Sequence, residues 1–552
     1  MSIQILTILF VSLTFVLYVV IAWRSRARST KEFYIAGGGV SPMANAMATA
    51  ADMMSVSTML SVPGLIGYLG YDAAVYIIGP IGGFVLLGVL IAPYLRKFGK
   101  FTIPDFIGDR YYSNSARTIA LVITVCITVT YLAGQMRGVG VVFSHFLKVD
   151  IVTGVLIGAL IVMAYAVLGG MKGITYTQVA QFCILSFAFL VPIIFMSILL
   201  TDKSFIFTSY GSTLADGSHF LDNLDKLNAE FGFKEFTDMQ RPKIDAFCIA
   251  GTLMFGTAAL PHILVRYFTV AKVSAARYSV SWTLLFITIV LIATPPLSAF
   301  SRTFIMEQIN GQVYADLPAW FSSWERTGLL VFNDLNGDGI VQYLGGAGNE
   351  LNLDFDITFL AVPEIADLPN WIVALVAAGA LAAALSTAAG LLLVLSSAVS
   401  HDLIKKQLRP DMSDKNELRI ARICIAISIG IGVYFGINPP GFIIETVALA
   451  FSMAAGAFFP VLLLGIFNKK VSKEAGISGM LTGFLFALFY IIYFQFMDGK
   501  EAQDGYWMDI SAQGIGIVAM ILNFMVTLGV NRFFDPPSQE IQDMVEDMRI
   551  PV

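Results

Sequence analysis

Residues 41 to 70, SPMANAMATAADMMSVSTMLSVPGLIGYLG, set an aspartate, Asp52, in a stretch long enough to cross a bilayer, which takes roughly 20 apolar residues. A carboxylate at that depth is costly to bury without a partner, which marks Asp52 as a functional position. Hydroxyl side chains surround it, among them Ser55, Ser57 and Thr58, and Pro63-Gly64 follows. In hydrocarbon every backbone N–H and C=O must be satisfied internally, so an interrupted helix persists where its freed groups line a cavity or coordinate something. The competing reading is a small-residue helix packed tightly on its neighbours, with the hydroxyls bonded back to carbonyls one turn earlier. Arg137, in YLAGQMRGVG just after Gln135, is the one basic residue well inside an apolar span. It can receive a carboxylate bidentately, or it can snorkel towards the interface; the sequence leaves both open.

The elements that must position these residues are membrane helices. Of 552 residues 57% are hydrophobic and 13% charged, against roughly 25% charged in soluble domains. The small net charge of −5 gives no footing for nucleic acid as a partner; the bilayer is the partner that composition requires. Apolar runs give about thirteen spans: 3–23, 41–68, 73–95, 118–146, 151–169, 175–200, 244–270, 278–300, 369–399, 420–437, 440–467, 475–496 and 513–531. With the N-terminus outside, the inner loops hold 23 Lys and Arg and the outer loops nine, which places the C-terminus in the cytoplasm. Residues 3–23 read as a retained helix, because the basic residues follow the apolar run instead of preceding it. The four cysteines, Cys126, Cys183, Cys248 and Cys424, all fall in apolar spans without metal-ligand spacing and read as buried free thiols.

Setting the first span aside, 41–200 makes five helices and 244–467 five more, each group beginning with an interrupted helix. In the second group that helix carries Gly251, Gly256 and Pro261. Corresponding Gly/Pro-interrupted helices in two halves are the sequence pointer to an inverted repeat with its site at the midplane. The chain therefore divides into an accessory helix and loop (1–40), a first repeat (41–200), an outer loop (201–243), a second repeat (244–467) that includes an outer loop (301–368), and accessory helices with a cytoplasmic tail (468–552). The larger loop holds NDLNGDGIV, with Asp334, Asn336 and Asp338 alternating before Gly339, the first half of a calcium loop. Position twelve is Gly345, so the usual bidentate Glu is missing, and Glu350 is the nearest replacement. A weak extracellular Ca²⁺ site and an ordinary Asn/Asp/Gly turn are both compatible with it.

Three stretches carry a family resemblance. ATAADMMS (residues 48–55), LPHILVRYFT (Leu260 to Thr269) and LAAALSTAAGLLLVLSSAVSHDL (Leu381 to Leu403) resemble the first, sixth and eighth core helices of the sodium/solute symporter family, and within it the acetate-like monocarboxylate carriers. The resemblance covers about residues 5 to 470. It implies an all-α, polytopic, LeuT-like fold of 5+5 helices and sodium-coupled import of a small carboxylate by alternating access, in a bacterial inner membrane. It assigns sodium ligation to the backbone carbonyls of Ala50, Met53 and Ala383 and the hydroxyls of Ser386 and Thr387. Such a neutral oxygen cage suits a hard cation that must also be released. Asp52 takes the coupling position, and Arg266 is its partner, a cytoplasmic gate residue or a positive-inside anchor. Ser55, Ser57, Thr58, Gln135, Arg137, Thr252 and Gly256 are the substrate candidates. His262 reads as a packed neutral ring in preference to a proton shuttle. Relatives of this kind also raise a small companion membrane subunit as a partner.

Arg137 departs from the acetate-carrier pattern, which keeps the Gln-Met step without the Arg, and this leaves room for a different or larger carboxylate. The alternatives are a proton-coupled or amino-acid carrier of the same fold, using Asp52 and His262, and a membrane solute sensor. No kinase-sized domain follows the last span, which speaks against the sensor. An enzyme is not expected: no HExxH occurs, and the four histidines form no evident Ser/His/Asp set.

Overall fold

A computed structural model describes residues 2–214, 216–439, 441–497 and 505–550; Lys500, counted above among the outer cations, lies outside them. The protein is mostly helical. Its membrane-crossing elements are α1 (Ile3–Arg24), α2 (Pro42–Met53), α3 (Val62–Leu69), α4 (Val75–Leu86), α5 (Ala92–Phe98), α6 (Asn114–Leu147), α7 (Ile151–Thr201) and α8 (Lys243–Thr257). They continue with α9 (Pro261–Leu264), α10 (Val273–Ile309), α11 (Asn370–Ser397), α12 (Asp414–Ile437), α13 (Ile443–Phe467), α14 (Lys473–Ile492) and α15 (Ile515–Val530).

Among the described residues, eleven helices are long and apolar enough to cross a membrane. The difference from about thirteen apolar runs arises at two places. The helical turns from Ser57 to Phe98 follow one another without a loop and count as one, taking up the end of the 41–68 run together with 73–95, although the backbone leaves helical geometry between them at Gly70 (φ 61°, ψ −137°). The 151–169 run falls among the shorter apolar helices, over Ile151–Val167, and is not counted; within α7 it is divided from the 175–200 run at Gly170 (φ 54°, ψ −168°). A Cβ at Gly170 would meet the Phe33 backbone and ring, so both the dihedral and the close approach call for glycine.

Local chemistry explains the helix starts. Pro42 and Pro261 stand in the first turns of α2 and α9, where a missing N–H removes no helix bond. Ser41, Ser113, Asp150 and Ser472 cap α2, α6, α7 and α14 by accepting a backbone N–H three residues on. The first interruption falls at Met54 and Ser55, between α2 and a π-helical turn over Ser57–Ser61, and not at Pro63, which α3 accommodates in its first turn. The second falls over residues 258–260, between α8 and α9. The two broken helices meet: Val40 bridges Val270, and Thr269 donates to the Asn45 side chain at 2.9 Å.

At the centre lies α11, for which 94% of its most apolar window is buried, against 17% for α1 at the periphery. Its run of Ala and Gly lets neighbours approach closely, as small residues do at membrane helix contacts. A Cβ at Gly379 would collide with Ala188 of α7. The two long loops form a cap over one face, with a hairpin of β1 (Leu330–Phe332) and β2 (Leu351–Leu353). All four cysteines are free, as expected, but only Cys248 is buried; Cys183 is exposed, on a helix face open to lipid.

Gly256 shows how tight the interior is. A Cβ there would stand 2.7 Å from the Phe451 carbonyl oxygen and 2.9 Å from its Cβ, so α8 and α13 touch through backbone. Gly256→Ala is expected to lower stability by about 1–3 kcal/mol through overpacking. Thermal unfolding of the detergent-solubilised protein checks this, and an unchanged transition would show that the two helices yield freely.

Candidate functional site

The interruption of α2 leaves carbonyls without their partners four residues on. Ala50 keeps its partner, accepting from the Met54 amide at 2.8 Å. The next two do not: Ala51 accepts from the Ser386 hydroxyl at 2.9 Å, and the Asp52 carbonyl from the Thr387 hydroxyl at 2.6 Å. Ser386 also reaches the Ala383 carbonyl at 3.0 Å, and the Met53 carbonyl accepts from Thr58 at 2.7 Å. The five residues read from the sequence thus gather where α2 ends against the middle of α11. The carbonyls that face the two hydroxyls are those of Ala51 and Asp52, adjacent to the Ala50 and Met53 carbonyls named by resemblance. Carbonyl and hydroxyl oxygens in this number and neutrality suit sodium, and among the described residues no acidic side chain hydrogen-bonds to the two hydroxyls.

The Asp52 carboxylate points elsewhere. Fully buried, it accepts from Arg266 Nε at 3.0 Å and Nη2 at 2.9 Å on one oxygen, and from Gln178 at 3.2 Å on the other. Arg266 is equally buried, and its Nη1 donates to Thr175 at 3.2 Å. Of the roles open to Arg266, the structure shows partnership with Asp52, and a cation sealed from solvent cannot act as an interfacial anchor. Gln178 also donates to the Ser386 carbonyl at 2.8 Å, tying the ion pair to α11. Gly390, one turn beyond Ser386, leaves the space: a Cβ there would stand 2.9 Å from Asp52 Oδ1. Gln178, Thr175 and Gly390 escaped the sequence reading. The available signal was Thr175, Gln178 and Gln181 at helical spacing inside an apolar span.

The substrate candidates divide. Ser55 and Ser57 bond each other at 2.7 Å beside the break. Gln135 is fully buried, and neither its amide nitrogen nor its oxygen has a partner among the described residues. On the same helix Tyr131, one turn earlier, meets the buried His262 ring edge to face at 4.9 Å, and Gly138 abuts Val56. Gln135 is therefore an unsatisfied amide on the face of α6 that approaches the break. His262 is a packed ring as expected, with Nε2 unpartnered. Thr252 is placed elsewhere: it donates to the Gly514 carbonyl at 2.8 Å and accepts from Ile517, which makes it a seam to α15. Gly256 likewise serves the contact with Phe451 described above. Both leave the substrate group, because their polar or backbone atoms are taken up in helix packing.

Arg137 does not stand free: it reaches a residue of the 301–368 loop. Its Nη2 lies 3.8 Å from Asp354 Oδ2, with both side chains partly exposed. Two residues on, the buried Asp356 accepts from the Ile443 amide at the start of α13 at 3.4 Å, while the Ile444 amide donates to Ser61 at 3.1 Å. Burial holds the carboxyls of Asp354 and Asp356 above the usual carboxylate range, and the neighbouring Asp354 charge adds to the shift at Asp356. Nearby, an open cavity of about 540 Å³ lies under the cap, lined by residues that include Asp72, Lys234, Arg241 and Phe355.

The comparisons with known proteins agree with this architecture. The model of the sodium:solute symporter family matches residues 33–314 and 356–483. An uncharacterised symporter of Cupriavidus necator is 31% identical, the alignment covering 92% of this chain and 88% of that protein. A monocarboxylic acid transporter of Corynebacterium glutamicum is 28% identical over 91% of this chain and 86% of its own length. Among solved structures, a substrate-bound, outward-open Na⁺-coupled sialic acid symporter superposes with a TM-score of 0.70 at 16% identity, covering 98% and 99% of the two chains. The nucleobase-cation-symport-1 transporter Mhp1 in a closed conformation gives 0.53 at 11% identity, covering 95% and 99%.

Asp52→Asn or Arg266→Met alone is expected to lose about 3–5 kcal/mol, because each strands a buried partner charge, while the double replacement recovers part of that loss. Denaturant unfolding of the four forms tests the cycle, and strictly additive losses would deny the coupling. For Asp356, the folded state retains a proton that the unfolded chain releases above about pH 4. Its contribution is therefore full in acid and is lost as pH rises towards the raised folded value. Asp356→Asn should flatten that decline in a pH series of unfolding temperatures; an unchanged slope would assign the decline to other groups.

Proposed function

Because the chain belongs to the sodium:solute symporter family, we propose that it imports a small monocarboxylate such as acetate together with sodium, by alternating access across a bacterial inner membrane. The observation that carries this reading is the junction of α2 and α11, where the Ala51 and Asp52 carbonyls, freed by the break, face the Ser386 and Thr387 hydroxyls. In the proposed site, sodium takes the place of those hydroxyl protons as the partner of the carbonyls, drawing its oxygens from Ala50, Met53, Ala383, Ser386 and Thr387 and their immediate neighbours. Binding there joins the first and eighth core helices, and coupling requires only that ion and substrate prefer the same closed-competent state.

Asp52 acts at one remove, holding Arg266 and Gln178 and so fixing the segment whose carbonyls bind the ion. The substrate carboxylate sits by the break, within reach of Ser55, Ser57 and Thr58, with Gln135 supplying its free amide. Arg137, paired with Asp354, is placed to attract an anion on the entry side instead of holding it at the centre. Similarity to a monocarboxylic acid transporter supports the substrate class, and the bacterial relatives support the membrane. The distribution of Lys and Arg supports an N-terminus outside and a C-terminus in the cytoplasm, with the cap extracellular. Inward movement of sodium is then driven by the membrane potential, worth roughly 2.3 kcal/mol per charge per 100 mV.

Labelled acetate uptake into proteoliposomes tests the proposal. Uptake should rise several-fold when an inward sodium gradient replaces potassium, and Ser386→Ala/Thr387→Ala should remove the sodium-dependent part by about tenfold or more, in line with loss of two ligand oxygens. Uptake indifferent to sodium but driven by a proton gradient would replace the coupling ion. Absence of acetate uptake, with sodium-dependent competition by another carboxylate, would replace the substrate.

A further inference from the structure

The loop between β1 and β2 is not used by the transport reading, and its residues are arranged for a different ion. Asp334, Asn336 and Asp338 occupy positions one, three and five of a calcium loop, Gly339 position six and Ile340, through its carbonyl, position seven. Asp334 accepts the amides of Gly337 at 2.7 Å and Gly339 at 3.0 Å, which closes the turn. The sequence lacks the acid at position twelve. The fold supplies one from further along the chain.

The Asn333 amide donates to the Glu350 carbonyl, and the Glu350 amide to the Gln342 carbonyl, each at 2.8 Å. This pairing lays the returning strand against the start of the loop. The Glu350 side chain is only 2% exposed. One of its oxygens accepts the amides of Leu335 at 2.9 Å and Asn336 at 3.3 Å; the other is buried and has no partner among the described residues. Carboxylate oxygens of Asp334, Asp338 and Glu350 lie within 4.8 Å of one another, and among the described residues no Lys, Arg or His forms an ion pair with any of them. Three carboxylates converging without a cation, one of them buried and half-satisfied, is an arrangement that a hard divalent ion relieves.

We propose that this loop is a calcium site whose distant acidic ligand is Glu350, and that bound calcium locks the cap hairpin. Asp334, Asn336, Asp338, the Ile340 carbonyl and Glu350 supply oxygens, and water completes the shell. The consequence reaches the transport pathway because β2 runs directly into Asp354, Phe355 and Asp356. Asp354 pairs with Arg137, and Phe355 packs on Tyr68 at 4.2 Å, with its carbonyl against Gly64. Ordering the hairpin therefore orders the segment that covers the outer end of α3. The site lies on the face proposed above as extracellular, where a weak site is filled.

The test uses the full chain, purified in detergent and stripped with a chelator, titrated with calcium alone in equilibrium dialysis, and its unfolding temperature followed with and without the ion. The wild type should bind about one calcium per chain with a dissociation constant on the order of 10⁻⁴ to 10⁻³ M, the range of extracellular modules, and unfold at a higher temperature when it is bound. Glu350→Gln and Asp338→Asn should each weaken binding by about tenfold or more through loss of ligand charge, whereas Ser386→Ala/Thr387→Ala should bind calcium as the wild type does. That last variant separates failure of this site from failure of the sodium reading. If Glu350→Gln unfolds early even in chelator, the exposed Asp334→Asn decides. Absence of saturable binding in the wild type, or binding by Asp338→Asn and Asp334→Asn equal to wild type, would overturn the proposal.

Discussion

The pair formed by Asp52 and Arg266 is the constraint around which the rest is built. Both groups are sealed from solvent, where neither charge is tolerable alone. Each therefore requires the other, and the two must be brought together from separate broken helices. That requirement fixes how the end of α2 sits against the segment after α9. It also explains the shape of the surroundings: Gly390 must lack a side chain, and Thr175 and Gln178 must supply the remaining hydrogen bonds. Asp52 is held in two ways. Its side chain holds the ion pair, while its backbone carbonyl, left over by the helix break, belongs to the Thr387 hydroxyl. Carbonyl and charge pair thus meet in a single residue.

Much of this was legible from residue types because it depends on cost. A carboxylate in an apolar span and adjacent hydroxyls in an alanine-rich span each violate a rule of membrane helices, and both lie at the junction, while Pro261 marks the second break. What depends on geometry was less legible. Which carbonyl loses its partner is decided by the residue at which the helix stops, Met54, and no periodicity reports that; hence the hydroxyls meet Ala51 and Asp52. Thr252 and Gly256 follow the same pattern of polar or small residues as the junction of α2 and α11, but the helix rotation turns them towards α15 and α13. Arg137 looked free because its partner, Asp354, lies in a loop whose path the sequence does not fix. Glu350 is the same kind of case, an acid seventeenth in a loop where the twelfth was expected, delivered by strand pairing.

The contacts at the break of the first core helix and those around its cap end differ in strength, and the difference has a direction. Towards one end, Asp52 and Arg266 are fully buried and share two hydrogen bonds, so separating them exposes uncompensated charge to hydrocarbon. Towards the cap, the Arg137 and Asp354 side chains are partly exposed and 3.8 Å apart; water can replace either partner, and such pairs contribute little. Phe355 against Gly64 and Tyr68 is a contact of surfaces, without a buried charge. Under the transport reading proposed above, the cap contact is the one a cycle makes and breaks, and the buried ion pair is the fixed point about which the break in α2 keeps its carbonyls aligned.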